Sequence, residues 1–235
     1  IEHLFTAILL LFFWKKVKIQ RIISAAGNLM ILITCINIFT RVWNNGIHTM
    51  QAGNWQAPFG ISLVADMFSS TMILLTSIVG LAISVFSSVG IGKPRTQYGY
   101  FPLFHFLLMG LNGAFLTGDI FNLYVWFEVI IISSFVLITL GGRKPQLEGA
   151  IKYVTLNLLA SVIFLTAIGI LYGLTGTLNM ADLSLKVALV QNRGLVNVTS
   201  FLFFVGFGIK SAVFPLYFWL PSSYHTPPSA IAASF

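Results

Sequence analysis

The stretch Ile120–Leu140, IFNLYVWFEVIIISSFVLITL, decides the fold class of this chain. It is long enough to cross a hydrocarbon core as a helix, which takes about 20 apolar residues. Its only charged residue, Glu128, lies near its middle, and a second run, Phe201–Leu220, carries Lys210 in the same way. A charged side chain at a bilayer centre costs roughly 2.5–3.5 kcal/mol on insertion scales. An acid and a base at matching depth therefore indicate a proton or ion path.

The composition excludes an ordinary soluble domain. Hydrophobic residues make up 57% of the chain and charged residues only 8%, which leaves too few polar atoms to cover a soluble surface. The apolar residues form continuous blocks rather than alternating ten-residue strands, so we expect helices and not a closed barrel. The formal net charge of +7 is interpreted as a determinant of membrane topology rather than of nucleic-acid binding.

Seven spanning segments and the start of an eighth are predicted, which makes the fold an all-α polytopic membrane protein. Turn-forming residues such as Asn44-Asn45-Gly46 mark the breaks between segments. Because the sequence begins and ends inside apolar runs, we expect a truncated first helix and a longer native chain. The predicted segments are residues 1–14, 22–43, 62–88, 101–118, 120–140, 149–174, 200–220 and 229 onward.

The distribution of positive charge predicts the orientation. Most of the 13 Lys and Arg residues lie in the odd-numbered loops, whereas Arg41, Lys186 and Arg193 lie in the even-numbered ones. Loops rich in Lys and Arg stay in the cytoplasm, so we expect a multi-pass membrane protein with its N-terminus outside; a bacterial plasma membrane is what the family resemblance described below implies. In the long connection 175–199, Asn179 is expected to cap a short helix at the external interface.

Lys210 is followed within the same apolar run by Pro215, which predicts a broken helix. Proline donates no backbone hydrogen bond, and its ring crowds the carbonyl of Ser211. Discontinuous helices near the bilayer midplane are a recurrent device of transporters. Glu128 has no charged neighbour in its own segment, so we expect it to form a direct or water-bridged pair with Lys210 in at least one state. A purely structural buried ion pair is the alternative.

Four further polar residues are candidates for an accessory proton path. Asp119 is expected to cap the fifth helix, with a role at an external ion entrance as the alternative. His105 and Lys152 lie near the predicted cytoplasmic ends of their helices, where packing or snorkelling would also explain them. His225 follows the broken helix, where a loop role is the alternative to proton relay. No metal cluster, cofactor motif or site for covalent catalysis is visible.

Three motifs resemble a known family. They are GAFLTGDIFNLYVWFE at Gly113–Glu128, TGTLNMAD at Thr175–Asp182 and KSAVFPLYFWLP at Lys210–Pro221. Together they resemble the proton-translocating antiporter-like subunits shared by Mrp-type cation/proton antiporters and respiratory complex I. Within that family they are most similar to the D-type subunits of the sodium/proton antiporters.

The resemblance implies an antiporter-like fold of fourteen helices with two inverted five-helix repeats and a broken seventh helix. Residues 1–100 would be an N-terminal three-helix region, and residues 101–235 the first repeat, incomplete at its last helix. The resemblance also implies that Glu128 and Lys210 are the family's paired glutamate and broken-helix lysine. Ser222-Ser223-Tyr224 departs from the Asp-Ala usual in complex I members, which favours the antiporter branch.

The expected function is a proton-translocating subunit of a multisubunit sodium/proton antiporter, a secondary transporter and not an enzyme. Its partners would be other subunits of the complex, sodium ions, protons and the lipid membrane, with no nucleic acid and no cofactor. Two alternatives remain open: a proton-pumping subunit of a respiratory NADH–quinone oxidoreductase, and a membrane scaffold for assembly.

Overall fold

The computed structural model describes residues 1–235, and most of them are helical. The helices are α1 Glu2–Phe12, α2 Val17–Asn45, α3 Met67–Gly90, α4 Lys93–Gln97, α5 Tyr100–Leu116, α6 Ile120–Thr139, α7 Lys144–Thr175, α8 Met180–Leu189, α9 Arg193–Lys210, α10 Trp219–Tyr224 and α11 Ser229–Ala232. The connections between the longer helices range from short turns to the residues 46–66, and four helices, α4, α8, α10 and α11, have ten residues or fewer.

Four helices, α2, α3, α6 and α7, are long and apolar enough to cross a membrane, and α1 and α5 are shorter apolar helices. Large hydrophobic side chains lie on the outer surface, among them Phe204, which is 71% exposed, and Val162, which is 63% exposed. A lipid environment accommodates such a surface, whereas water does not. The expected helical, multi-pass membrane architecture is therefore present, and the count of seven spans stays a prediction.

A small β-hairpin corrects the all-α expectation. Strand β1, His48–Gln51, pairs antiparallel with strand β2, Ser62–Ala65. The sequence pattern places residues 62–65 at the start of the third spanning segment, because hydropathy alone does not separate a short apolar strand from a helix. The helix α3 instead begins at Met67, and Asp66 is its N-cap, accepting from the Ser69 amide at 2.7 Å.

Three helices, α2, α7 and α9, begin at least five residues earlier than expected, α2 at Val17 rather than 22. The helix α7 starts at Lys144 rather than 149, with Pro145 in its first turn, where proline is tolerated because that amide has no helical partner. The helix α9 starts at Arg193 rather than 200, because the Asn192 side chain caps it and accepts from the Leu195 amide at 3.1 Å. Polar first turns thus extend α7 and α9 beyond their apolar parts.

The helices pack in two groups. One contains α1, α2, α3 and α5, and the other contains α6, α7, α9 and α10, with α5 packed against α6 between the groups. At that junction Gly113 lies under the Trp126 indole, so close that a Cβ at position 113 would overlap the ring. The boundary at residues 100 and 101, drawn between the N-terminal region and the first repeat, falls at the start of α5 and stays a prediction.

Candidate functional site

Lys210 is the last residue of α9, where a specific backbone motif ends the helix. The amide of Val213 donates to the Gly208 carbonyl at 3.0 Å, and the amide of Ala212 donates to the Ile209 carbonyl at 3.1 Å. Ala212 has a φ of +51°. This pair of bonds around a left-handed residue is the Schellman arrangement, which satisfies the last carbonyls of a helix.

Pro215 lies within the non-helical residues 211–218, between α9 and α10. The sequence attributed the interruption to Pro215, but the helix already ends one turn before it. Trp219, the first residue of α10, donates its indole N–H to the Ile209 carbonyl at 2.9 Å. The termination therefore involves Ala212 and Trp219 as well as Pro215, and it leaves Lys210 at a helix terminus with its side chain directed toward α7.

The Lys210 ammonium has two partners. Its Nζ donates to Ser161 Oγ of α7 at 3.2 Å and lies 5.0 Å from the centre of the Phe127 ring. Phe127 is held by an edge-to-face contact with Phe164, at 5.8 Å between ring centres. Ser161 is only 3% exposed. One hydroxyl and one aromatic face thus hold the ammonium group in a largely apolar surrounding.

Glu128 follows Phe127 on α6, and its carboxylate has no hydrogen-bond partner at the buried Oε1. The ion pairs of the chain are Lys152–Glu148 and Lys186–Asp182, so Glu128 and Lys210 are not in ion-pairing contact in this conformation. Glu128 is the sequence neighbour of Phe127, whose ring the Lys210 ammonium faces. The predicted direct or water-bridged pairing of Glu128 with Lys210 therefore stays a prediction about another state.

A cavity of about 170 Å³ adjoins Lys210. Polar residues of α7 and α10 form part of its wall. They are Tyr153, Asn157 and Tyr224, which line the cavity together with Phe127. This volume exceeds the about 30 Å³ that one water occupies in the liquid, and polar walls favour hydration. The space beside the ammonium is therefore large enough for water, although most of its wall is apolar.

Lys152 and His225, two of the accessory candidates, lie at one polar pocket. Lys152 pairs with Glu148 at 3.1 Å on the exposed first turns of α7. The same two residues and His225 line a cavity of about 150 Å³ that has no hydrophobic side chain in its wall. The His225 Nδ1 is hydrogen-bonded to the Pro221 carbonyl. The structure thus brings these two candidates together, but at a distance in sequence and space from Glu128.

Asp119 and Asn179 cap helices at the opposite end of α6, as their sequence context predicted. Asp119 accepts from the Asn122 amide at 2.8 Å, and Asn179 accepts from the Ala181 amide at 3.1 Å. The two capping residues are adjacent in space through an antiparallel bridge. In the exposed helix α8 that Asn179 caps, the Lys186 ammonium lies 2.8 Å from Asp182 and lowers the pKa of that carboxyl.

His105 is not near Lys210. It is fully buried among α1, α2 and α3, where its Nδ1 lies 3.3 Å from Nδ1 of His3. Snorkelling does not explain a side chain with no exposed surface, so that alternative for His105 is wrong. Of the six residues proposed for proton movement, the structure brings Lys152 and His225 to one pocket. Glu128 and Lys210 share only the intervening Phe127 ring, and His105 belongs to a separate group of helices.

Sequence reasoning missed Ser161, the direct partner of Lys210, and the polar residues that accompany it. Tyr153, Asn157 and Ser161 recur every four residues in an apolar segment, which places them on one face of α7. That spacing was the available signal. It identifies a polar stripe, although it does not reveal which helix the stripe faces.

A family model described as NADH:quinone oxidoreductase/Mrp antiporter, transmembrane, matches residues 117–235. The chain is 49% identical over 226 residues to the D subunit of the Na(+)/H(+) antiporter of Alkalihalophilus pseudofirmus, covering 96% of this chain and 46% of that protein. The chain therefore spans about half the length of this curated relative.

Two solved structures share the architecture. The structure of a membrane-bound sulfane sulfur reductase, an archaeal respiratory membrane complex, matches with a TM-score of 0.90 and 29% identity, over 98% of this chain and 48% of the other. The Mrp complex from a Dietzia species matches with a TM-score of 0.89 and 29% identity, over 99% of this chain and 43% of the other. Both similarities extend over nearly all of the helices described above.

Proposed function

Because this chain belongs to the NADH:quinone oxidoreductase/Mrp antiporter transmembrane family, we propose that it is a proton-translocating membrane subunit of a multisubunit sodium/proton antiporter. The single observation that carries the proposal is the placement of Lys210 at the end of α9, beside a cavity and in contact with Phe127, the residue before Glu128. The antiporter relative from Alkalihalophilus pseudofirmus supports sodium and protons as the exchanged ions.

In the proposed mechanism the Lys210 side chain exchanges partners. In the conformation described here it is held by Ser161 and the Phe127 ring, and Glu128 is unpaired. In the second state it would pair with Glu128. A hydrogen bond to a charged group contributes about 1.5–3 kcal/mol, and a cation–π contact about 0.5–2 kcal/mol. The free energies of these two contacts are similar to what an ion pair between Lys210 and Glu128 would supply. Neither the Ser161-bound state nor the Glu128-paired state therefore dominates.

The interruption after Lys210 gives the side chain freedom to exchange. A lysine inside a continuous helix is held by backbone on both sides, whereas residues 211–218 are non-helical. In the antiporter-like fold this pair of segments would form the broken seventh helix. A membrane potential of 100 mV supplies about 2.3 kcal/mol per charge, which is on the order of the partner-exchange energies. Ion gradients therefore suffice to bias the two states.

The proposal is tested with the assembled complex, purified by a tag on this chain and reconstituted in vesicles. Sodium-driven proton movement is followed with a pH-sensitive dye, normalised to assembled complex. Glu128→Gln keeps the size of the side chain and removes its charge, and we expect it to abolish exchange without loss of assembly. Exchange at the unaltered rate would reject the role of Glu128. A matched control is Asp182→Asn, which neutralises a carboxylate on the exposed helix α8.

A proton-pumping subunit of a respiratory complex is the second candidate, favoured by the similarity to the archaeal respiratory membrane complex. Proteins that co-purify with this chain separate the two functions: other antiporter subunits indicate the first, and flavin or iron–sulfur proteins the second. A scaffold role predicts that neutral variants at Glu128 and Lys210 assemble and leave transport unchanged. Loss of transport in an assembled complex would eliminate the scaffold.

A further inference from the structure

A second set of buried polar side chains lies in the helix group α1, α2, α3 and α5, away from Lys210. Each of these four helices contributes to it. His105, Ser24 and Ser84 have no exposed surface, and His3 is 6% exposed. Two imidazoles buried in an apolar helix bundle are costly unless their nitrogens are hydrogen-bonded. We call the set the histidine chain; its members are Asn112, His3, His105, Ser24 and Ser84.

Hydrogen bonds connect the five side chains in one line. Asn112 Nδ2 lies 3.0 Å from His3 Nε2, and His3 Nδ1 lies 3.3 Å from His105 Nδ1. His105 Nε2 lies 3.1 Å from Ser24 Oγ, which lies 2.9 Å from Ser84 Oγ. Every link joins two helices, so the line is a tertiary feature that no single segment of sequence displays.

If the Asn112 amide is the donor, the line has one consistent direction in its neutral form, in which the Asn28 amide, whose Nδ2 lies 3.5 Å from His105 Nε2, turns its unpaired Oδ1 toward that ring. The Asn112 amide donates, so His3 Nε2 is the acceptor and the hydrogen of that ring is on Nδ1. His3 Nδ1–H then donates to His105 Nδ1, which puts the second ring's hydrogen on Nε2. That hydrogen is donated to Ser24 Oγ, and the Ser24 hydroxyl donates to Ser84. Each member thus carries one mobile hydrogen, and all of them point the same way.

The amide at one end can serve either protonation state of His3. Asn112 Oδ1 is buried and has no hydrogen-bond partner, whereas Nδ2 of the same amide is bonded to the ring. If the amide turned over, Oδ1 would accept from a protonated His3 Nε2. A static network would gain by pairing both ends of such an amide, since an unpaired buried acceptor costs about 1–3 kcal/mol.

The histidine chain covers about a third of the bilayer depth, because Asn112 and His105 are about 10 Å apart along α5 and the hydrocarbon core is about 30 Å thick. Asn112 is four residues from the end of α5, and Ser84 is six residues from the opposite-facing end of α3. At 1.5 Å per residue the two ends of the chain lie only about 6 and 9 Å from their helix termini. The Ser84 end lies on the side of the bundle that carries the positive loop with Lys15, Lys16 and Lys18.

We propose that the histidine chain is a second proton-conducting path, built from residues other than Glu128 and Lys210 and required together with them for exchange. The inference rests on the proposed function, because it adds a path to a subunit that moves protons. Its ligand is the hydrated proton. Proton transfer along hydrogen bonds requires polar side chains that are linked without a gap, and these are linked across four helices. It also requires groups that can exchange donor and acceptor roles: the two imidazoles in the middle do so by changing tautomer, and the amide at one end does so by turning over.

One transfer balances as follows. A proton from water binds His3 Nε2, and the Asn112 amide turns its Oδ1 toward the new N–H. The His3 Nδ1–H bond breaks as His105 Nδ1–H forms, and His105 Nε2–H breaks as a new Ser24 O–H forms. Ser24 passes its original hydrogen to Ser84, and Ser84, which is itself buried, releases one proton to water that enters from the α3 terminus about 9 Å away. One proton enters and one leaves, and rotation of the hydroxyls, rings and amide restores the first arrangement.

The other ionisable groups of the surrounding helices are held by partners outside the chain. The Glu2 carboxylate of α1 accepts from Thr34 of α2 at 2.9 Å. The Tyr100 hydroxyl of α5 lies 2.6 Å from Ser87 of α3. Arg21 of α2 donates to the Ile91 carbonyl at 3.3 Å, and Cys35 of α2 is buried with Ile31 and Ile73. No carboxylate is bonded to either imidazole, so the histidine pair receives its proton from water.

Two measurements on the assembled complex test the proposal. The first is sodium-driven proton movement in vesicles for Ser24→Ala, with Ser77→Ala as the matched control. Ser77 is also buried on these helices, but its hydroxyl donates to the Leu74 carbonyl of its own helix and is outside the histidine chain. We expect about a tenfold loss of rate or more for Ser24→Ala and an unchanged rate for Ser77→Ala, with equal melting temperatures.

The second measurement does not depend on transport. Nitrogen-15 magnetic resonance of histidine-labelled complex distinguishes bare, protonated and cationic ring nitrogens, and His105→Gln identifies the signals of this pair. We expect the His3 and His105 ring nitrogens to change between the bare and the protonated form as the pH is varied. If His105→Gln does not assemble, Ser84→Ala breaks only the terminal link and is measured by transport.

The outcomes are distinct. Titration of the pair together with a slow Ser24→Ala complex supports the path. A single fixed tautomer at every pH overturns it, as does Ser24→Ala transport at the unaltered rate. If the unaltered complex exchanges no cation for protons while Glu128→Gln behaves identically, the proposed function has failed, and the resonance measurement alone decides whether the pair takes up protons.

Discussion

The Lys210 ammonium donates to Ser161 Oγ across 3.2 Å, joining the end of α9 to the middle of α7. Ser161 is buried, whereas the Glu128 carboxylate that was expected as the partner of Lys210 has no ion pair. A hydroxyl stabilises an ammonium without removing its proton, because the alcohol is a much weaker base than a carboxylate. The contact therefore describes a resting position for a charged lysine, from which pairing with Glu128 is a separate event.

Removing the hydroxyl with Ser161→Ala should alter transport more than stability. The protonated form of Lys210 loses an acceptor worth about 1.5–3 kcal/mol, so the pH–rate profile of exchange should move toward lower pH by about one to two pH units. The measurement is the rate of sodium-driven proton movement against pH in reconstituted complex.

Ser70→Ala is the matched control for this prediction. Ser70 has no exposed surface, and its hydroxyl donates to the Met67 carbonyl within its own helix, at 3.2 Å. It should leave the pH profile in place. A profile for Ser161→Ala that superimposes on that of the Ser70→Ala complex would mean that the Ser161 hydroxyl does not hold Lys210 during transport.

The close approach of α5 and α6 depends on a residue without a side chain. A Cβ at Gly113 would overlap the Trp126 indole, whereas Gly173 of α7 has open space around its Cα. Gly113→Ala should therefore destabilise the complex by about 1–3 kcal/mol through overpacking. Gly173→Ala should leave stability equal or raise it by up to about 1 kcal/mol, because alanine favours the helix.

Thermal melting of the purified complex distinguishes the two alanine variants. The expected order of melting temperatures is Gly113→Ala below the unaltered complex, and Gly173→Ala equal to it or above. Equal melting temperatures for Gly113→Ala and Gly173→Ala would show that α5 and α6 do not pack through position 113, and the placement of Glu128 relative to the α1–α5 bundle would need revision.

The class of fold was accessible from sequence because hydropathy and length constrain a membrane protein strongly. Polar residues at the ends of apolar segments were also informative. Asp119 and Asn179 were identified as helix caps from the residues around them, and the structure shows both capping hydrogen bonds. The β-hairpin was not identified. Its strand Ser62–Ala65 is short and apolar, and only pairing with β1 distinguishes it from the first turn of a helix.

The candidate site was accessible only in part. A lone charge in an apolar run is visible in sequence, which identified Glu128 and Lys210. The groups that contact them come from other helices, so Ser161 and the link between His3 and His105 required the tertiary structure. Helix termination at Ala212 was hidden for a different reason: alanine rarely adopts a positive φ, and proline was the residue with an evident breaking effect.

Ala212 provides a direct test of the helix terminus beside Lys210. Its φ of +51° is unfavourable for a residue with a Cβ by roughly 1–2 kcal/mol. Ala212→Gly should remove that strain and raise the melting temperature, while Ala212→Val, with a branched Cβ, should lower it. The reverse order of the two melting temperatures would show that residue 212 is not left-handed in the assembled complex.

The orientation in the membrane is the last prediction. Charge asymmetry predicts that Lys93 and Arg143 face the cytoplasm and that Lys186 and Arg193 face outward. Single cysteines at these four positions should separate into two classes, because an impermeant thiol reagent added to intact cells reaches only external residues. Lys186→Cys and Arg193→Cys should label, whereas Lys93→Cys and Arg143→Cys should label only after the cells are opened.

The native Cys35 is buried and serves as the unlabelled background. Labelling of Lys93→Cys and Arg143→Cys in intact cells, with protection of the other two, would invert the topology and with it the direction assigned to the Ser84 end of the histidine chain.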